Sequence, residues 1–165
     1  MAYDQINPNG RDKIPRSARS TEPAWVTTVA LPPEAAPFDL QAAINAAGDG
    51  EPTVIELNSD IILNGYDIKI PQDKILKLTS AGAEITHSID ANRLFRVLSV
   101  SSQAALYLEN IIITGGVGTD SGAGVSVFGG TLVMNNNAAI TGNQASGAGA
   151  GVLIRNGGTF CMNGG

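Results

Sequence analysis

Few residues of the sequence have side chains that catalyse reactions or bind metals, and they lie far apart. The chain contains one histidine, His87, and one cysteine, Cys161. A zinc site needs three or four ligands, and no second His or Cys lies near His87 in the sequence. No candidate base that would activate the thiol is found near Cys161. We therefore expect a loop histidine and a cysteine with a packing role.

Two polar runs resemble ligand-binding loops in composition. Gly147–Gly151 is rich in glycine like a phosphate-binding loop, but it lacks the Lys-Ser/Thr pair and no helix is predicted after it. Asn135–Asn137 could offer amide groups to a ligand, but asparagine is also favoured in turns. Both runs are predicted to be turns, and neither implies a cofactor.

The composition predicts a single domain with a narrow apolar core. Hydrophobic residues make up 43% of the 165 residues, but aromatic residues only 5%. Of the 20 glycines, 15 lie from Gly115 onward, which indicates a repeated turn rather than a generally flexible chain. The net charge of −5 and the pI near 4.7 argue against nucleic acid or an anionic membrane as the main partner. No apolar run reaches the roughly 18 residues of a membrane span.

The first 37 residues differ from the rest of the chain. Residues 1–37 are rich in Pro, Arg, Ser and Asn and have no sustained periodicity. They are predicted to be an irregular tail or linker, and residues 38–165 the folded domain. Within the tail, Trp25–Val29 is predicted to form a short strand that covers an apolar surface.

A short helix is predicted at the start of the folded domain. Asp39 is the expected N-cap of a helix over residues 40–47, which ends at Gly48. Four apolar residues fall on one face of this helix: Leu40, Ala43, Ile44 and Ala47. Such a short helix is marginal alone, so it is expected to rest on an apolar surface.

From Thr53 onward the sequence changes to short apolar segments separated by turns. The predicted strands are Val54–Leu57, Ile61–Leu63, Ile68–Ile70, Ile75–Leu78, Glu84–Thr86, Leu94–Leu98, Ala105–Leu108 and Ile111–Thr114. Strands of this length and spacing are typical of a solenoid, a barrel or a sandwich.

Internal repeats decide among these three architectures. Gly122–Val127 returns as Gly149–Ile154 with a shift of 27, Gly130–Asn135 as Gly158–Asn163 with a shift of 28, Ile113–Gly115 as Ile140–Gly142 with a shift of 27, and Ala105–Leu108 as Thr131–Met134 with a shift of 26. A period near 27 that contains about three short strands matches one coil of a parallel β-helix. The glycines then mark corners. Asparagine ladders between coils are expected for Asn135 with Asn163, and near Asn110 and Asn143.

Carbohydrate-active enzymes with this fold need clustered Asp and Lys or Arg residues, which a one-coil shift would bring together. A shift of 27 places Asp120 beside Arg93 and Gly147, and Asp90 beside Val117. Asp73 and Lys74 are predicted to lie in a turn. We expect these charges to be solvated and predict no catalytic, cofactor-binding or metal-binding residue.

The repeats resemble those of bacterial surface proteins that read roughly G-G-G-V-x-V-x-x-G-T-F-x-M-x-G-G-x-I-x-G-N. Gly122–Asn143 carries this pattern, and it restarts at Gly149. Ala123 and Ala150 replace a glycine of the pattern. Phe38–Ile44 is similar to the capping helix of the same superfold. The resemblance is to adhesins and polymorphic outer-membrane proteins of the pectate-lyase-like superfold, and it implies a right-handed parallel β-helix.

This resemblance implies a non-catalytic structural or adhesive region of a secreted or cell-surface bacterial protein. A host protein or a glycan is the implied partner. Because the repeat stops mid-coil at Asn163-Gly-Gly, we expect a β-helix truncated at its C-terminal end. Two alternatives stay open: a fragment of a polysaccharide lyase or hydrolase with catalytic coils beyond residue 165, and a module that forms homo-oligomers through its open end.

Overall fold

A computed structural model describes residues 21–82, 84–118 and 121–165. The chain is an all-β parallel solenoid of about 5 turns, with a period of about 27 residues and one short helix near the N-terminus. The elements are β1 Thr27–Ala30, α1 Pro37–Ala46, β2 Pro52–Leu57, β3 Ile61–Ile62, β4 Ile68–Ile70, β5 Ile75–Ser80, β6 His87–Asp90, β7 Leu98–Val100, β8 Ala105–Leu108, β9 Ile111–Thr114, β10 Val117–Gly118, β11 Val125–Phe128, β12 Thr131–Met134, β13 Ala139–Ile140, β14 Gln144–Ala145, β15 Val152–Arg155 and β16 Thr159–Met162.

Strands of successive coils pair in parallel to form four sheets. Sheet A has the order β1-β2-β5-β8-β12-β16, sheet B the order β3-β6-β9-β13, and sheet C the order β4-β7-β11-β15. Sheet D contains only β10 and β14. Each strand therefore donates and accepts its backbone hydrogen bonds one coil away, which is the arrangement that the repeats predict.

The register of the sheets confirms all four repeats found in the sequence. The Cα partners are Val125 with Val152, Thr131 with Thr159, Ile113 with Ile140, and Ala105 with Thr131. These pairs reproduce the shifts of 27, 28, 27 and 26 residues. Segments that repeat in the sequence are therefore the segments that pair as neighbouring strands.

The core is a stack of aliphatic side chains enclosed by sheets A, B and C. Because side chains alternate between the two faces of a strand, every second residue points inward. In sheet A, Ile55, Leu78, Leu108 and Met134 form one inward column, and each is at most 5% exposed. The near absence of aromatic residues in this column agrees with the narrow core predicted from the composition.

The helix begins earlier than its sequence suggests. Helix α1 starts at Pro37, a residue that favours the first helical position, and the carboxylate of Asp39 accepts a hydrogen bond from the Ala36 backbone N–H at 2.8 Å. The prediction of Asp39 as N-cap was therefore wrong, since Asp39 lies in the first turn. Of the predicted apolar stripe, Leu40 and Ile44 are fully buried, and Ala43 and Ala47 pack against the core partly buried, Ala47 just past the end of the helix at Ala46.

Helix α1 closes the N-terminal end of the solenoid. It lies beside β4, the first strand of sheet C. The side-chain amide of Gln41 donates to the Lys69 carbonyl at 2.9 Å and accepts from the Lys69 N–H at 2.8 Å. Gln41 thus provides the two hydrogen bonds that a neighbouring strand would have made, and it protects an open edge.

Three predicted segments differ in the structure. Glu84–Thr86 is not a strand, since β6 starts at His87. Leu94–Leu98 was wrong apart from its last residue, because Asn92 and Arg93 adopt positive φ angles of 50° and 60° and turn the chain there. Trp25–Val29 overlaps β1, which pairs with β2 although it belongs to the segment predicted to be a tail.

We expect the two isoleucines of β3 to differ sharply in their contribution to stability. Ile61 points inward and is 1% exposed, whereas Ile62 points outward and is 59% exposed. Ile61→Ala should lower the free energy of unfolding by about 2–5 kcal/mol, and Ile62→Ala by less than about 0.5 kcal/mol. Urea denaturation monitored by circular dichroism measures both values. Equal losses would contradict the assigned facing of this strand.

Candidate functional site

Several residues on the outer face of sheet A are buried although they point away from the core. We call Val54, Lys77, Tyr107, Val133 and Cys161 the outer column, because they are register partners on successive strands. Their strand neighbours fill the core, so the column faces outward. Even so, Lys77 is 9%, Tyr107 6% and Val133 0% exposed.

A segment before β1 lies over this column. We call residues 22–25 the strap. The ring of Trp25 meets the ring of Tyr107 edge to face, with centroids 5.2 Å apart and an interplanar angle of 87°. The ammonium of Lys77 lies 4.9 Å from the centroid of the Trp25 ring, which is within the range of a cation–π contact. The strap therefore covers two strands of sheet A.

The carboxylate of Glu22 is the polar centre of the strap. Its Oε2 atom accepts from Trp25 Nε1 at 2.8 Å and lies 2.9 Å from Lys77 Nζ. Its Oε1 atom accepts from the side-chain amide of Asn135, just beyond β12. On its other side, Lys77 Nζ is 2.9 Å from Glu109 Oε2. One lysine is thus held between two carboxylates.

The charges in this cluster stabilise one another. Partial burial raises the pKa of Glu22, but hydrogen bonds from Trp25, Lys77 and Asn135 and the charge of Lys77 outweigh it, so that this pKa lies below 4.5. Burial lowers the pKa of Lys77, but hydrogen bonds to Glu109 and Glu22 and their charges outweigh it, so that this pKa lies above 10.5.

These pKa directions define the chemistry that the cluster can perform. A general acid or base works best with a pKa near the operating pH. Glu22 is held as a carboxylate and Lys77 as an ammonium, so that both pKa values are moved away from neutrality. The arrangement is suited to holding the strap by charge and hydrogen bonds rather than to transferring protons.

His87 does not lie in a loop as predicted, because it opens strand β6. Its Nδ1 atom is 3.5 Å from Asp60 Oδ1. The same carboxylate oxygen accepts a hydrogen bond from the Ser88 backbone N–H at 2.7 Å. In the part of the chain that the structure describes, no three His, Cys, Asp or Glu residues are grouped closely enough to hold a metal ion.

Lys74 was predicted to be exposed to solvent, and this prediction is wrong. It follows the turn at Asp73, but it is only 7% exposed. Its ammonium lies 2.7 Å from Asp49 Oδ1 and donates to the Ala47 carbonyl just past α1. A cation at this place satisfies and neutralises the negative end of the helix. Lys74 is therefore a structural residue.

The predicted neighbour of Asp90 is also corrected. Asp90 pairs with Thr114, not with Val117, because the coil between them is shorter than the average period. Its carboxylate accepts from the Asn92 backbone N–H at 2.7 Å and so supports the following turn. Asp120, predicted to lie beside Arg93, is outside the described residues.

Cys161 aligns with Val133, as the repeat predicted.

The asparagines have two different structural roles. Asn163 donates to the Asn135 side-chain oxygen at 3.1 Å, which confirms a ladder between coils. Within the described ranges, Asn110 and Asn143 make no hydrogen bond to another asparagine side chain, so the ladder predicted for them is wrong. Asn110 donates instead to the Gly82 and Ile85 carbonyls, and Asn143 to the Ile113 carbonyl. They support the backbone at corners, which is a role that asparagine often has in turns.

The glycine-rich run forms a corner between β14 and β15, as predicted. Beside it lies an open depression of about 740 Å³. Its lining is Val117, Gly118, Asn143, Gln144, Ala145, Ser146 and Ala150. Among the described residues, this lining includes no charged side chain, and its polar side chains are those of Asn143, Gln144 and Ser146.

Sequence reasoning missed the cluster of Glu22, Lys77 and Glu109. One signal pointed toward it, since the repeat aligns Tyr107 with Val133 and Cys161 at a position that faces outward. A run of apolar residues on an outer face indicates a cover. The prediction that Trp25–Val29 covers an apolar surface identified the covering segment, but not the residues of sheet A that it covers.

The chain was compared with protein-family models, curated proteins and solved structures. No family model matches it, and no curated protein or solved structure does so either. Among the described residues, no helix is long and apolar enough to cross a membrane.

Proposed function

We propose that this chain is a non-catalytic structural and adhesive solenoid of a secreted or cell-surface protein. The supporting observation is that many of its described polar side chains tie neighbouring coils together, while the cluster around Lys77 holds the strap. The pairs are Ser99 with Asp67, Gln72 with Gln103, Arg96 with Gly122, Lys77 with Glu109, and Asn163 with Asn135. The partners of each pair are 26 to 32 residues apart, close to one coil.

Such ties suit a protein whose task is to keep an extended surface rigid. Arg96 is an example, since its guanidinium donates to the Gly122 carbonyl at 2.6 Å and to the Ser121 carbonyl at 2.9 Å. A repetitive solenoid offers long faces for a partner without needing an internal cavity. The resemblance of the repeats to those of bacterial surface proteins supports the cell-surface location.

Two aromatic residues support the adhesive part of the proposal. Tyr66 is 48% and Phe128 54% exposed. Aromatic side chains provide large contact areas and are enriched at binding hot spots. Phe38 is more exposed still, at 69%, but it lies on the capping helix α1. Tyr66 and Phe128 are therefore the aromatic side chains of the coils that we expect a host glycan or protein to contact. The alternative of a polysaccharide lyase or hydrolase fragment stays a prediction.

We expect the purified chain to bind specific glycans or cell surfaces, and binding to weaken in Tyr66→Ala or Phe128→Ala. Loss of one binding hot spot costs about 2 kcal/mol or more, or at least roughly 30-fold in affinity. Glycan arrays and cell binding measure this effect, with Ile62→Ala as an exposed apolar control. No binding by a chain with a β-rich circular dichroism spectrum would contradict the adhesive function.

A second function is supported by β15 and β16, which form one end of the described solenoid. Met162 continues the inward column of Met134, but it is 65% exposed where Met134 is 5% exposed. Phe160, Val152 and Ile154 pack against the core and are only partly buried. Apolar residues beside an unpaired strand edge favour pairing with another chain. We therefore propose self-association through this end as the alternative function.

Self-association should depend on Met162. We expect the average mass from light scattering to rise with protein concentration, and Met162→Glu to return the chain to a monomer because it places a charge in the apolar contact. Ile62→Glu is the matched control, since Ile62 is similarly exposed, at 59%, but faces outward from sheet B. A monomer at every concentration, or equal effects of the two substitutions, would count against this assembly.

A further inference from the structure

The strap is attached to the solenoid by side chains alone. Residues 22–25 make no backbone hydrogen bond to other described residues, and backbone pairing starts at Val26, whose N–H donates to the Pro52 carbonyl at 2.9 Å. Val26 therefore marks the boundary between a chain segment fixed in sheet A and a segment that lies on its outer face. A segment held in this way can leave without disturbing a sheet.

The strap covers an apolar side chain on the outer face of sheet A. The ring of Tyr107, which points outward, packs against the ring of Trp25. Tyr107 is only 6% exposed. Exposed aromatic surface of this kind is a common contact area for a partner. Movement of the strap would therefore change what this face presents.

Among the described residues, the hydrogen bonds and ion pairs between the strap and the solenoid are all made by one carboxylate. Glu22 contacts Trp25, Lys77 and Asn135, which lie on the strap, on β5 and just beyond β12. The titratable groups on the outer face of the neighbouring strands are Glu56 on β2, Lys77 on β5, Tyr107 on β8 with Glu109 directly after it, and Cys161 on β16. Glu109 competes for the same ammonium, so Lys77 keeps a partner when Glu22 is lost.

We propose that residues 22–25 are a releasable cover of Lys77 and Tyr107 in the outer column, that Glu22 is its latch, and that neutralising Glu22 uncovers Tyr107. This switch does not depend on the adhesive function proposed above. No backbone hydrogen bond of the described solenoid breaks when the cover opens. The change is therefore confined to one face of sheet A.

The direction of the pH dependence follows from the charges. The pKa of Glu22 lies below its usual 4.5 because its partners favour the carboxylate. Closure is therefore fully supported above about pH 4.5 and weakens as the pH falls through the lowered pKa. The pKa of Lys77 lies above its usual 10.5, so that its contribution persists at neutral pH and is lost only as the pH rises beyond that value.

Trp25 is the only tryptophan of the chain, so that its fluorescence reports on the strap alone. In the unmodified chain, we expect emission to shift to the red and acrylamide quenching to increase between pH 7 and pH 3, while the far-ultraviolet circular dichroism stays β-rich. At pH 7, Glu22→Gln should already raise the open-to-closed ratio roughly two- to fivefold, the effect of losing one ion pair of ordinary strength.

Two further variants make the test decisive. Glu34→Gln removes an exposed carboxylate away from the latch and should behave like the unmodified chain. Lys77→Met keeps the aliphatic part of the side chain and should open the strap at pH 7 as Glu22→Gln does. If both latch variants match the unmodified chain in quenching at pH 7, with an unchanged β spectrum, the proposal is overturned. Opening in Glu34→Gln to the same extent would also overturn it.

Discussion

Parallel pairing between successive coils is the interaction on which the whole structure depends. A strand in this fold cannot satisfy its backbone N–H and C=O groups within its own coil, so every coil depends on the next. The same pairing aligns equivalent side chains, and inward-facing residues such as Leu78 and Leu108 stack in columns. The core therefore grows with each coil, and no single layer is stable alone.

The two ends and the outer faces of the solenoid have no neighbouring coil to pair with or pack against, so other segments must cover them. At the N-terminal end, α1 supplies both Leu40 and Ile44 to the core and Gln41 to the edge of β4. On the outer face of sheet A, the strap provides an apolar cover through Trp25 and a charged anchor through Glu22. Both devices use residues before the first complete coil, so that this region protects surfaces which the repeats leave open.

The sequence was informative where the repeat is strong. Between Ala105 and Met162 the glycines and asparagines recur at corners and the apolar residues recur in strands, so that comparing the sequence with itself predicted the register. Earlier coils vary more, since 23 residues separate the partners Pro52 and Ile75. A fixed shift of 27 therefore placed Asp90 beside the wrong residue.

Long-range polar contacts were beyond sequence reasoning for a different reason. Glu22 and Asn135 are 113 residues apart, and no local pattern records that they meet. Lys74 illustrates the same limit. Its neighbours in sequence indicate an exposed turn, but α1 returns to its side chain and buries it. A sequence period of 2 predicts strands and a period of 27 predicts coils. The contacts of Glu22 and Lys74 depend instead on the path that a non-repetitive segment takes over these coils.

Engineered disulfides measure the register of the coils most directly. Ser126 and Leu153 are partners on β11 and β15, and Ser126 lies between the buried residues Val125 and Val127. With Cys161 changed to serine, the pair Ser126→Cys and Leu153→Cys should oxidise to a disulfide, because adjacent strands are about 4.8 Å apart. The pair Ser126→Cys and Arg155→Cys, offset by two residues on the same face, should stay reduced. Oxidation of the offset pair alone, or of neither pair in a folded chain, would contradict the stacked parallel coils.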